Sequence, residues 1–454
     1  MPQLNNNLID KKVILYFTQN PYPGKTGTHK RCLTIINAFQ QLGCRITFLS
    51  HAEYGPYSWD QESLRYFEEK KVTVVLYHTS QADTIFAEQA QSKNPDVLNL
   101  KYHCPPGLAA LFKKTYDSLE PNVVFIFYAY SSGLLHAINT SECLTVLESI
   151  DLVSLSSMLQ QQLLPRLGPP PYDPRCVNPV VVSEDFFQQA PPAANSLEFK
   201  LYDLYNYTIA VSQREAGIIA KNTRKTKVEY VPITCSVSSA TNSYVSNPVF
   251  IAADNPFNVQ AYLYLASRVV PILLQLNPQF ELQVIGEITQ KLIPTDGVNF
   301  KGFVPDLSDL YASACCAACP IIGGTGMSVK ALEAMAHGVP VVVLRNSTQE
   351  SLVRHGIDGF VANDAKEFAC YVALLYNDRA LCAKMGAAAR QMVMQNFSDA
   401  VVVQKLANIL SRCNESGMNK STSRIRVLYD ISVLGLSVDH NAARTGIFRV
   451  VEHV

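Results

Sequence analysis

Short apolar runs separated by amphipathic stretches set the plan of this chain. The run at 13–17 ends in the turn-rich loop TQNPYPGKTGT and is followed by a helical pattern over 29–42. Further strand-like runs at 45–50, 72–77 and 123–128 alternate with helical stretches, the pattern of a parallel sheet covered on both faces. Prolines then cluster between 165 and 195 (PRLGPPPYDP, then QQAPP). Neither helix nor central strand tolerates that composition, so an irregular surface insertion or lid is expected there. Regularity returns with a helix over 197–205 and strands at 207–211 and 228–232, before the polar stretch 236–247. The first domain is read as 1–235.

A second alternation begins at 249, with strands expected at 249–252, 280–285, 317–322 and 339–344. Helical patterns at 365–376, 379–395 and 399–411 complete a second domain, read as 236–412. Residues 413–424 are polar and read as a linker. The last stretch, 425–454, repeats the opening order of strand, long loop and helix: Arg444-Thr445-Gly446 matches Thr26-Gly27 with Arg31 just inside the helix. It is expected to be the truncated start of a further domain in a longer protein. The fold class is α/β, with two doubly wound Rossmann-like domains facing across a cleft.

Composition narrows the function. With 38 Lys plus Arg against 38 Asp plus Glu, the formal net charge is +0, which supplies no basic footprint for nucleic acid. The longest uninterrupted apolar runs are about eight residues, short of the ~20 that span a bilayer, so no integral membrane segment is expected. The start MPQLNNNLIDKK has no apolar segment behind its charges, which predicts a cytoplasmic location, either free or docked on a membrane surface. The twelve cysteines then read as reduced thiols, and Cys315, Cys316 and Cys319 as small buried hydrophobes. His29, His51, His103, His337 and His355 form no metal-ligand spacing and no Asp-x-Asp motif is present, so neither a metal nor another cofactor is expected.

The loop Pro23-Gly24-Lys25-Thr26-Gly27 is not a phosphate-binding Walker loop, because the position that needs its first glycine is Gln19. A strand, glycine-rich loop and helix can still bring backbone amides close to a phosphate or sugar. The same arrangement recurs at Gly323-Gly324-Thr325-Gly326-Met327-Ser328, after a strand and before a helix that Gly338 closes. Lys330 falls in the first turn of that helix, where a cation opposes the helix dipole. It therefore serves an anionic ligand or an ion pair, and Glu333 is spaced to share its face.

GTGMSVKALEAMAHGVPVV resembles the nucleotide-sugar signature of retaining glycosyltransferases of group 1, the family 4 class with the GT-B fold. AADNPFNVQAYLYLASRVVPILLQLNPQFELQVIG and VNFKGFVPDLSDLYASA resemble the units that precede it, and 425–454 resembles the opening of another such enzyme. The resemblance implies a transferase of hexosyltransferase type that moves a sugar from a nucleotide-diphosphate donor to a hydroxyl with retained configuration. Its acceptor would be a growing glycan, a lipid-linked sugar or a small molecule. It implies Glu333 on the donor ribose, Lys330 on phosphate, and amides of Gly326, Met327 and Ser328 on the diphosphate or sugar. Phe303 and Val304 would hold the base, and Gly24 and Gly27 would close over donor and acceptor. Thr325 stands where many members carry a glutamate that touches the sugar, and is grouped with Lys330 as catalytic. Asp151 and Tyr128 would line the acceptor cleft. Ser212 and Glu215 resemble the strand-end serine and helix acid of the same fold, and the favoured reading is a helix N-cap and its reciprocal acid. The alternative is a catalytically silent nucleotide-sugar-binding module in a multi-transferase protein.

Overall fold

The computed structural model describes residues 10–189, 194–327, 329–345, 347 and 352–411. Ser328, the linker 413–424 and the expected domain start 425–454 lie outside the described residues. The described residues up to Leu410 form one compact unit, built on two sheets in which every strand pair is parallel.

The first sheet contains β1 (Lys12–Tyr16), β2 (Arg45–His51), β3 (Thr73–Tyr77), β4 (Val123–Phe127), β5 (Leu144–Glu148), β6 (Tyr207–Ala210) and β7 (Lys227–Tyr230). Their order is β3-β2-β1-β4-β5-β6-β7. Alternate side chains of β1 serve two cores, which explains its unbroken apolar run. Val13, Leu15 and Phe17 pack with Cys32, Ile35, Ile36 and Phe39 of the helix Gly27–Gln41. Ile14 and Tyr16 pack on the other face with Leu108 and Phe112 of the helix Pro106–Leu119.

The second sheet contains β8 (Val249–Ile251), β9 (Leu282–Ile285), β10 (Val298–Gly302), β11 (Ala317–Cys319), β12 (Val341–Leu344) and β13 (Gly359–Ala362), ordered β10-β9-β8-β11-β12-β13. Strand order reverses between β1 and β4 in the first sheet and between β8 and β11 in the second. Open α/β sheets bind ligands at such switch points. The loops after β1 and β11 carry the two glycine-rich segments. Cys315, Cys316 and Cys319 are buried, as expected of small core residues.

Two expectations need correcting. The helix Asp399–Ser411, assigned above to the second domain, places Val402, Leu406, Ile409 and Leu410 in the core of the first sheet. The chain crosses back, so the second domain does not extend to 412; helical periodicity marks an apolar face but not the sheet that receives it. The proline-rich insertion is a strap docked on the second domain and no free lid. After the helix Val153–Leu167, which runs through Pro165, Gln260 donates to the Val181 carbonyl at 2.7 Å. Arg268 and Tyr264 both donate to the Glu184 carboxylate. Among the described residues one helix, Pro256–Leu276, is long and apolar enough to cross a membrane by length and composition alone. Gln260, Ser267 and Arg268 interrupt its apolar run, which hides it from a search for unbroken stretches. Buried Tyr262, Leu263, Tyr264 and Val269 place it in the second domain's core.

Candidate active site

The glycine loop after β11 lies against the first domain. Gly323 is covered by the strap, since a Cβ there would sit 1.9 Å from the ring of Phe187. Gly324 and Gly326 have φ of +134° and +72°, which L side chains rarely adopt. Gly326 is bracketed by two acids. Its amide donates to Glu215 Oε1 at 2.9 Å, and a Cβ there would be 2.8 Å from Asp151 Oδ1. Thr325 neighbours Asp151.

Ser212 caps its helix as expected, accepting from the Glu215 amide at 3.2 Å. The Glu215 carboxylate, read above as a capping acid, accepts from the Ser212 hydroxyl at 3.3 Å and also reaches the amides of Gly326 and Leu152. Burial pushes both acids up, Asp151 to about 6 and Glu215 to about 8. Thr325 restrains the rise at Asp151 and nearby Glu198 adds to it. At Glu215 the charge of Asp151 adds to the rise, while the two amides and Ser212 oppose it. In low dielectric two neighbouring carboxylates cannot both ionise cheaply.

Beyond Gly326 the helix Val329–Ala336 begins. Lys330 Nζ lies 2.9 Å from Glu333 Oε2, the pair expected from their spacing, and both side chains keep solvent exposure. Val329 meets the first domain, with its Cγ2 3.6 Å from where a Gly27 Cβ would be. The amino ends of two helices, Gly27–Gln41 capped by Thr26 and Val329–Ala336, thus converge. Between them lies a cavity of about 140 Å³ lined by Gly27, Thr28, Asp151, Thr325, Met327 and Val329. A second cavity of about 250 Å³ adjoins it, lined by Leu159, Phe187, Ser212, Glu215, Gly323 and Thr325. Converging helix amino ends favour an anion.

The remaining expected residues divide. Tyr128, at the end of β4 with φ +65°, is 3.2 Å through its hydroxyl from Oγ1 of Thr28, which lines the smaller cavity, and stacks on Tyr130. Burial pushes its phenol up to about 12. Phe303 is 64% exposed beside Gly302, whose φ is +70°, while Val304 packs on the second core. Gly24 is not brought to the glycine loop, because a Cβ there would meet Lys30 and Leu33 of its own domain. The Gly326 amide, assigned above to a diphosphate, is occupied by Glu215. Phe187 and the interdomain role of Glu215 were not anticipated. Nothing in the proline-rich segment marks Phe187, and Glu215 is marked only as an acid three residues after a capping serine, resembling the helix acid of the same fold.

Residues 247–378 match the family model described as glycosyl transferases group 1. This segment is therefore similar to group 1 glycosyltransferases. It contains the second sheet, the glycine loop and the Lys330–Glu333 pair. No curated protein sequence matches the chain. Among solved structures, Anabaena HepE in complex with UDP-glucose is 16% identical with a TM-score of 0.56, over 88% of this chain and 99% of that one. Sucrose-phosphate synthase from Thermosynechococcus elongatus is 13% identical with a TM-score of 0.57, over 89% and 100%. TarM of S. aureus bound to Fondaparinux, alpha-GlcNAc-glycerol and UDP is 9% identical with a TM-score of 0.59, over 88% and 99%. At these identities the likeness shows the fold, so the matched segment is one half of a GT-B architecture.

Proposed function

We propose that the protein transfers a sugar from a nucleotide-diphosphate donor to a hydroxyl acceptor with retention of configuration. One observation carries the reading. Within the segment similar to group 1 glycosyltransferases, the Lys330–Glu333 pair stands at the start of a helix whose amino end opens on the cleft cavity. Glu333 would accept from the donor ribose and Lys330 would meet phosphate. The exposed Phe303 ring and Val304 would hold the base, while Met327 and Ser328 would face the diphosphate. Gly27 would close over the donor, Thr325 would approach the sugar, and Asp151 and Tyr128 would face an acceptor of glycan, lipid-linked or small-molecule type. Charge grows on the departing diphosphate, so fixed amides and a cation are the main catalytic devices. No metal is invoked.

Calorimetric titration of UDP, GDP, ADP and CMP into the wild type and Glu333→Ala tests this. Selective binding of one nucleotide is expected, weakened in the variant by about 1.5–3 kcal/mol, roughly ten- to over a hundredfold. If folded protein binds none, the reading fails. A silent nucleotide-sugar-binding module is favoured by Thr325 and predicts binding without transfer.

A further inference from the structure

The chain spends an amide of its glycine loop on an acid from the other domain. Glu215 Oε1 accepts from Gly326 at 2.9 Å and from Leu152 at 3.2 Å. Asp151 Oδ1 faces Gly326 from the other side and is buried without a hydrogen-bond partner. Asp151 lines the cavity between the two helix amino ends, and Glu215 lines the one adjoining it. Behind them Glu198 accepts from the amides of Val153 and Ser154 and from the Tyr202 hydroxyl.

The groups packed around these acids are mostly neutral or acidic. They are the hydroxyls of Thr325 and Ser212, the phenols of Tyr202 and Tyr128, Glu198, and Glu184, which lines the larger cavity while accepting from Tyr264 and Arg268. Two cations line the cavities. Arg31 is committed to Glu148 and to the carbonyls of Val231 and Pro232, and Arg214 stands beside Glu215 in the larger cavity. The converging helix ends invite an anion, yet two carboxyls from the first domain already stand there.

We propose that Glu215 is a proton-dependent latch on the glycine loop: it holds the Gly326 amide in place of a donor diphosphate, and protonation of the Asp151 and Glu215 pair lets the diphosphate in. The inference rests on the nucleotide-donor reading above. An ionised pair opposes an incoming dianion through low dielectric, whereas a protonated carboxyl carries no charge and has a hydrogen to donate to a phosphate oxygen. Burial raises both groups toward neutral pH, which puts the transition within reach of ordinary buffers. If binding takes up one proton, affinity changes by at most about tenfold per pH unit, tightening as pH falls.

The test is calorimetric binding of UDP-glucose, GDP-glucose and ADP-glucose to the full chain and to Glu215→Gln, at about pH 6 and about pH 8.5. The phosphates of these diesters do not titrate in that interval, so the ligand's charge is constant. Gln keeps an oxygen for both amides and removes the charge. The wild type is expected to bind its sugar nucleotide about tenfold more tightly at the lower pH. Glu215→Gln is expected to bind about tenfold more tightly than wild type at the higher pH, with little pH dependence. Glu215→Ala, which also lacks the charge, should shift in the same direction and serves if the Gln variant does not fold. Binding by the charge-free variants that equals or falls below wild type at both pH values overturns the latch and leaves the donor reading standing. If none of the three ligands binds folded wild type or variant, the donor reading fails and the latch falls with it.

Discussion

Arg31 and Glu148 form an ion pair of 2.9 Å with side chains 1% and 0% exposed. Arg31 comes from the first helix of the chain and Glu148 from the end of β5. The same guanidinium donates to the carbonyls of Pro232 and Val231, where the chain leaves the first sheet for the second. Burial raises the Glu148 carboxyl and Arg31 opposes that rise. Removing one partner strands a buried charge, so Arg31→Met or Glu148→Leu alone should cost about 3–5 kcal/mol in chemical denaturation. The double variant should recover part of that loss. Full recovery would mean that the two carbonyl contacts of Arg31 contribute nothing.

Lys330 and Glu333 contrast with that pair, because water still reaches both. Exposed pairs of this kind stabilise by at most about 1 kcal/mol. Lys330→Gln should therefore leave the melting temperature nearly unchanged and weaken nucleotide binding by about tenfold or more. Unaltered nucleotide affinity would reduce Lys330 to a structural partner of Glu333.

Gly323 and Phe187 predict a steric coupling between strap and glycine loop. Gly323→Ala places a methyl group 1.9 Å from the ring, and overpacking of this kind costs about 1–3 kcal/mol. Phe187→Leu in the same chain should relieve part of that cost in thermal melts. Additive losses would show that the ring moves aside freely.

The buried Asp151 and Glu215 carboxyls predict a pH effect on stability. Their folded values are raised, to about 6 and about 8, above the ordinary carboxylate range. Their contribution is therefore full at acid pH and declines as pH rises through about 6 to about 8. Glu215→Gln should lose less stability than wild type between about pH 6 and about pH 9. Parallel melting curves across that interval would show that Glu215 does not titrate there.

Much of the architecture was legible in the residues. The apolar run at 13–17 and the helical pattern at 29–42 correspond to β1 and the helix Gly27–Gln41. The strand ahead of the glycine loop is shorter than expected, ending at Cys319, because Pro320 cannot extend the ladder. Strands β5 and β13 went unnoticed; the second is the four-residue segment Gly359–Ala362, too short for alternation to stand out. At the site, the Lys330–Glu333 pair was readable because both residues lie three apart on one helix face.

The amino-acid sequence by itself determined two doubly wound domains, two glycine-rich turns at strand ends and a helix with a Lys and Glu pair on one face. Each of these depends on neighbours within a few residues: apolar alternation, helical period, turn chemistry. Only the tertiary structure decided that Asp399–Ser411 returns to the first sheet, that the strap docks on the second domain, and that Glu215 meets Gly326 across 111 residues of chain. Those choices depend on which apolar faces meet and which buried polar groups remain to be paired. Local periodicity carries no record of either, because the free energy that selects them comes from surfaces brought together by the complete fold.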